Sequence, residues 1–465
     1  MSSRLPVCRF SLLHRVDRAL IHCHSSFAIV FLMVLLECLT SLAQSPIETI
    51  DTSIPGSQVD SHPYAIIVDE ETMIAYATIC GDVAPFGEPV ENHSNNKVIE
   101  FDARSLQVLR VFTVGYYPTE LILAHGDLWV TCSTSNQLYR IDLDGNEHLS
   151  IALTDSSGAP ISYPSGIAVG STGEIYVASN GGSFDGSDEN VVSIDPVTNQ
   201  ISQRYSIAGA ISVLACLDDG SLLIPVGFPG DDFTAAPIVY WIDPLDGAVL
   251  SMLDIDVDTT DFPGPSDLEI LQDNTALLTL FGGSSEVFRI DLDTRLMHST
   301  YPIPGADTVQ TAVTADTDDS FIVAHFFAGH LSRIQLDNGD LIGDLEGLDF
   351  PNRIAIGGGR VFSTNQGAES ISVHAAVGAF LRADINIDGV IDMADPIGLL
   401  QYLFLGIELL CHDAGDIGDD GVLDISDPIQ LLNYLFSQGP TPAYPFPVAG
   451  SDLTDDALDC GGVTE

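Results

Sequence analysis

Near the carboxyl end of the chain, Asp384, Asn386, Asp388, Asp392 and Asp395 place side-chain oxygens at positions 1, 3, 5, 9 and 12 of a twelve-residue stretch. Gly389 stands at position 6, where such a loop must turn sharply, and Val390 at position 7 offers its backbone carbonyl. Hard oxygens on this spacing wrap around one point, and six to eight of them at about 2.3–2.6 Å suit Ca2+. Thirty-two residues further on, Asp416, Asp420, Val422, Asp424 and Asp427 repeat the pattern around Gly421. The second copy departs at Gly418, which gives position 3 no side-chain oxygen. A water or Asp419 would have to serve there, so two Ca2+ sites are expected, the second the weaker.

Each loop must be held by the segment on its carboxyl side. Asp395-Pro396 and Asp427-Pro428 read as an N-cap acceptor and a Pro at the first helical position. Ile397, Leu400, Leu403 and Phe404 recur as Ile429, Leu432, Leu435 and Phe436, a helical stripe read mostly as the core between two helices of near two-fold symmetry. This duplicated unit, over residues 380–437 and with Asp instead of Glu at position 12, resembles the type I dockerin repeat, an EF-hand-like module. The resemblance implies the ligand residues named above and a cohesin-like partner. Through such a partner, secreted proteins, often polysaccharide-degrading ones, are attached to a scaffold or cell surface. Positions 10 and 11, which set partner choice in that family, are Met393-Ala394 and Ile425-Ser426 in place of the familiar Ser-Thr.

The amino terminus reads as an export signal over residues 1–43. Four arginines precede an apolar run from Phe27 to Leu36, and Ser41-Leu42-Ala43 supplies small residues for cleavage. A secreted or extracellular location is expected, with attachment to the cell surface through the carboxyl-terminal module and no membrane span after signal removal. Export leaves five cysteines, Cys80, Cys132, Cys216, Cys411 and Cys460. Cys411 and Cys460 stand alone in the last part of the chain and are the expected pair. Their bond would fold a Pro-rich acidic tail, residues 438–465, back over the helices. The other three read as buried strand residues.

Charge narrows the partners. Against 66 acidic residues stand 15 basic ones, a formal charge of -51, and Lys97 is the only lysine. Such a surface repels nucleic acid, because it has no cations to replace phosphate counterions.

Between residues 46 and 377 one unit recurs seven times: a turn, often with Pro, then four short strands. The third strand ends with an apolar residue and Asp at Asp102, Asp142, Asp195, Asp243 and Asp291, which lie 40, 53, 48 and 48 residues apart. That period suits a four-stranded propeller blade, and the fold class expected is all-β, a seven-bladed β-propeller followed by a small α-helical module. The seventh copy lacks a fourth strand, and the stretch around Ile50 is free to supply it and close the ring. Residues 46–377 resemble β-propellers with YVTN- or NHL-type repeats, a fold of many functions.

Long links between second and third strands, Gly81 to Asn96, Asn180 to Asn190 and Gly227 to Pro237, mark one face as the binding surface. The residue two after each repeat's Pro-like position should border the axial tunnel there: Ala65, Glu120, Gly166, Ser212, Asp267, Thr311 and Arg353. Glu120, Asp267 and Arg353 are the candidate ligand-binding residues, with an ion-paired tunnel mouth as the structural alternative. The loop Asp185-Gly186-Ser187-Asp188-Glu189 lacks full calcium spacing and reads as solvated. His325 and His330 need not share a face, and packing suits them better than catalysis. G-x-S-x-G, H-E-x-x-H and nucleotide-binding glycine loops are absent. The expectation is a binding propeller without catalysis, for a partner or a polysaccharide. The alternative is a glycan-active hydrolase or lyase with its site at the tunnel mouth.

Overall fold

The structure, a computed structural model, describes residues 43–44, 48–53, 61–81, 96–145, 148–181, 185–303, 309–317, 319–376, 380–386, 390–407, 409, 411–447, 454, 458 and 460. The export signal expected over 1–43, Ala43 aside, and the expected metal ligand Asp388 lie outside them. Two compact units divide the chain, residues 1–44 with 465 and residues 45–464. Of the first, the two-residue strand Ala43–Gln44 is described.

Residues 45–464 contain a seven-bladed propeller, as the repeat predicts. Each blade is an antiparallel sheet whose strands follow chain order from the axis outward. In the last blade the sequence-distant strand Glu48–Asp51 pairs with Ser370–Ala375, Ile50 opposite Ile371, and so closes the ring. The repeated Asp has a local reason: it ends the third strand and its carboxylate accepts backbone N–H groups of the next turn. Asp102 accepts from Arg104 and Ser105, Asp142 from Asp144 and Gly145, and Asp195 from Val197 and Thr198.

Second strands are buried over nearly their whole length, and from end to end in Asp127–Cys132 and Leu222–Val226. They are covered on both faces, so they read as continuous apolar runs. Outermost strands such as Leu296–Pro302 keep an alternating exposure. Between neighbouring blades lie separate apolar cores, among them Phe101 and Phe362 where the seventh blade meets the first, and Trp241 and Phe288 between the fourth and fifth. Cys80 and Cys132 are buried and Cys216 half-buried, all without a disulfide.

In blade four the first strand is the short Ala215–Cys216, which begins three residues after Ser212. The chain before it crowds inward against Gly166, where a Cβ would stand 3.0 Å from Ser212 O and from Val213 Cα. Only glycine leaves room for that approach.

Helices α1 (Ala394–Leu405), α2 (His412–Gly415) and α3 (Ser426–Ser437) form the carboxyl-terminal module. Two readings are corrected here. Asp395 and Asp427 are not N-caps; they lie inside the first turn, and the caps Met393 and Ile425 offer no side-chain acceptor. The stripe read as core is in large part outside it. Leu399 and Leu431 are the fully buried positions, packed with Ile385 and Ile417, while Ile397, Phe404, Ile429 and Phe436 are exposed. Each helix turns its buried side two residues away from the start of the expected stripe, because the loop before it also has to be covered.

Cys411 is bonded to Cys460. The tail packs against both parts: Tyr444 O–H donates to Gly358 O of the last blade, and the Arg104 guanidinium lies 5.2 Å over its ring. Gly358, at φ 60, is another position where a side chain is crowded out, since a Cβ would meet the Tyr444 hydroxyl at 2.8 Å.

Candidate functional site

The first strands of the blades line the axis and begin at the long-loop face, so their opening residues ring the tunnel mouth. In six of them the register slips at this point, as between Pro118 and Glu120, Pro265 and Asp267, and Pro351 and Ile354. Each slip is a bulge that re-aims the side chain behind the Pro. Hydroxyls of the second strand fill the gap: Thr78, Thr131 and Thr364 accept the N–H of Ala65, Glu120 and Arg353. The same hydroxyls tie neighbouring blades, Thr131 donating to Ser165 O and Thr364 to Tyr64 O.

On this ring the structure brings the three predicted residues into one cluster. Arg353 Nε donates to Glu120 Oε1 at 2.7 Å, and its Nη2 stands 2.6 Å from the same oxygen. Arg353 also donates to the carbonyls of Thr311 and Asn352. Asp267 accepts the N–H groups of Leu268 and Val313, both at 3.0 Å. Arg353 and Glu120 keep 13% and 21% of their side-chain surface, so the pair is sunk in the ring but touches the tunnel.

Burial raises the Glu120 carboxyl, against the pull of Arg353 and with a push from Asp267. Asp267 is raised by burial too, opposed by Arg353. Burial works against the charge of Arg353, yet Glu120 and Asp267 more than offset it. Glu269, two residues beyond Asp267 on the same strand, is pushed up to about 7, by burial first and by Asp267, with the Ala315 N–H opposing. Glu269 was missed in the sequence; the period-two rule puts it on the Asp267 side of the strand and was signal enough.

Chemically, Glu120 is spent on Arg353 and Asp267 on two amides. Glu269 has no cation as partner among the described residues; it accepts the Ala315 N–H at 3.3 Å and a bond from Thr314, and its carboxyl is raised to about 7. His325 and His330, which by spacing need not share a face, are direct cross-strand partners with ring centroids 4.6 Å apart. Burial, and then His330, push His325 down to about 3, so it stays a neutral packing residue. On the opposite face an open cavity of about 660 Å3 is lined by His125, Arg140, Glu174 and Asp195. Arg140 is already committed there to Asp127, Pro196 O and Asn199.

The two acidic loops are alike at the level of single bonds. Asp395 accepts the N–H of Ile385 and of Asp392, both at 2.8 Å; Asp427 accepts those of Ile417 and Asp424 at 3.0 and 2.9 Å. Asp392 and Asp424 in turn accept from Ala394 and Ser426 at the helix starts. Gly421, at φ 75, makes the sharp turn expected at position 6, its N–H donating to Asp416. Asp384, Asp395, Asp416 and Asp427 are buried. Burial raises Asp395, with Asp384 adding, and raises Asp427, with Asp416 and Asp420 adding. Carboxylates therefore converge on each loop. Among the described residues no group of three or more His, Cys, Asp or Glu stands ready-formed around a metal position; Asn386, Val390, Asp420 and Val422 complete the expected sets.

Asp419, a substitute ligand in the sequence reading, is turned away to Arg382, 2.8 Å from Nη2. Arg382 is fully buried and also donates to the carbonyls of Tyr444, Asp413 and Asp416. Sequence reasoning missed this residue, a lone cation just ahead of the first loop.

No family model matches the chain, and no curated protein matches it by sequence. Solved structures do match the propeller. A streptogramin B lyase is similar with a TM-score of 0.54 and 18% identity, over 70% of this chain and 97% of that one. An inactive virginiamycin B lyase from Staphylococcus aureus with quinupristin gives 0.55 and 14%, over 71% and 99%. Kuenenia stuttgartiensis hydrazine synthase gives 0.55 and 14%, over 70% and 99%. At such identities the likeness establishes the fold.

Proposed function

We propose that this is a calcium-stabilised, secreted binding protein, its propeller carrying a ligand on the long-loop face and its carboxyl-terminal module docking, dockerin-like, on a cohesin-like partner of a scaffold or cell surface. The observation that carries the reading is the pairing of exposed apolar residues at equivalent places in the two repeats. Val390 and Val422 are 57% and 55% exposed, Phe404 and Phe436 68% and 64%, and Met393 matches Ile425 as Ile397 matches Ile429. Side chains of this kind left in water on both copies mark an interaction surface, since a core role would have buried them. The donor set fits Ca2+ in chemistry: the expected ligand side chains of both loops, Asp384, Asn386, Asp388, Asp392 and Asp395, then Asp416, Asp420, Asp424 and Asp427, all offer hard oxygen, with no thiolate or imidazole among them. Bound Ca2+ would neutralise the converging carboxylates, while Asp395 and Asp427 hold their loops closed on the helices that carry the apolar residues.

The test is capture of the full chain on immobilised cohesin modules, with Ca2+ and with EDTA. Retention that depends on Ca2+ and falls at least tenfold in the Phe404→Asp, Phe436→Asp double variant supports the reading. Retention indifferent to both sinks it.

A glycan-active hydrolase or lyase at the tunnel mouth is the second reading, and Glu269 is what favours it. A carboxyl raised to about 7 suits general acid–base work. Glu269→Gln should then abolish turnover of a glycan panel with the fold intact.

A further inference from the structure

Five aromatic residues adopt a backbone conformation that bulky side chains avoid. Tyr117, Tyr163, Phe228, Phe262 and Phe350 have φ between 51 and 55 and each directly precedes a Pro. Glycine takes this conformation without strain, and a following Pro makes it less comfortable still. All five lie in connections of the long-loop face, where strained backbone tends to mark a site.

Three of them, Phe228, Phe262 and Phe350, with rings of neighbouring loops, form two platforms. Phe350 stacks on Phe326 at 5.1 Å and meets Phe327 edge-on at 6.0 Å, with Phe327 62% exposed. Between blades four and five, Phe228 and Phe233 lie 5.1 Å apart. Phe262 and Phe281 are exposed beside them, the Phe262 carbonyl lying against Gly282. The connections that carry the platforms, residues 227–237, 255–264, 281–285, 326–329 and 346–350, contain seven acidic residues and no Lys or Arg.

We infer that this face binds a neutral glycan chain, sugar rings laid on the two aromatic platforms and hydroxyls donating to carboxylates of the same connections. A pyranose has an apolar C–H face for an aromatic ring and an edge of hydroxyl donors. A face so acidic repels uronate and sulfate polymers and the phosphate chain of nucleic acids. A polymer of repeated sugars spans both platforms and gains from being held twice, as separate rings on separate loops require. The inference rests on the reading of the propeller as a binding body, and is independent of the attachment module.

The test is affinity electrophoresis of the calcium-saturated full chain through gels holding hydroxyethylcellulose, laminarin, galactomannan or polygalacturonate. Retardation by a neutral polymer and none by polygalacturonate is expected. Phe327→Ala and Phe262→Ala should each weaken binding at least fivefold, and Met252→Ala on an outer strand should leave it unchanged. Trp129 and Trp241 are fully buried, so a Phe327→Trp variant should keep binding and report it by a shift in emission. Migration unaffected by every neutral polymer, equal retardation of the Phe variants, or a preference for polygalacturonate overturns the inference. Phe404→Asp, directed at the docking face, should leave glycan retardation intact, which separates failure here from failure of the attachment reading.

Discussion

Arg353 and Glu120 lie 233 residues apart in the chain and are joined side chain to side chain at the tunnel mouth, a bond from the seventh blade to the second. Such a bond spans the ring without using any blade interface. Arg353→Met leaves Glu120 sunk without its cation, and the expected loss is roughly 3 kcal/mol at pH 7. Glu120→Gln keeps an acceptor for the guanidinium and should lose less, about 1 kcal/mol. Urea unfolding measures both; an Arg353→Met protein as stable as its parent would show the pair to be idle.

Glu269 predicts a pH dependence with a definite sign. Its folded carboxyl is raised to about 7 from the ordinary 4.5, so the folded state binds the extra proton between those values. Stability from this group is full below pH 4.5 and is lost as pH rises through 7. Glu269→Gln should therefore melt above the parent at pH 8.5, by roughly 1 kcal/mol or more, with the gap closing at pH 5. A constant gap across that range would mean that the carboxyl titrates normally.

The blades were legible because the Asp that ends the third strand in five of the seven does the same local job in each, and because Ile50 was free to pair with the last blade. The three tunnel residues were legible from one repeat position. Arg382 was not, because its partners are three backbone carbonyls and Asp419, groups without a sequence signature. The burial of the two helices was misjudged for a related reason. Ile397 and Phe404 obey the helical period as well as Leu399 does, and periodicity cannot tell a face that meets the loop from one left for a partner.

Arg382 itself supports a prediction. Its guanidinium gathers Asp413 from α2, Asp416 and Asp419 from the second loop and Tyr444 from the tail, and lies 5.2 Å over the Phe380 ring. Arg382→Met strips that hub and leaves carbonyls without donors. The module should lose about 3 kcal/mol, while the Trp emission of the propeller stays as it was. Loss of both together would show that the tail makes one cooperative unit of them.

Reduction tests the staple. The Cys411–Cys460 bond closes a loop with a sequence separation of 49, and constraining the unfolded chain by that much is worth ~4 kcal/mol. Dithiothreitol, or a Cys411→Ser, Cys460→Ser double variant, should lower the melting of the helices and free the tail to proteases. Melting indifferent to reductant would mean that packing of Tyr444 and Phe446 holds the tail unaided.

Calcium linkage should divide the two loops. Metal that binds the folded module alone stabilises it by about 2.7 kcal/mol at a hundred times Kd. Both carboxyl oxygens of Asp395 close the first loop, and those of Asp427 the second, but only the second loop has lost its oxygen at position 3, with Asp419 drawn off by Arg382. Asp395→Ala should abolish the tighter of two heats of Ca2+ uptake and Asp427→Ala the weaker. Gly418→Asp should bring the second site toward the first, since it returns an oxygen without disturbing Arg382. EDTA should melt α1 and α3 of the unaltered chain and leave the blades standing. Two equal heats, or none, would refute the ranking and the metal sites in turn.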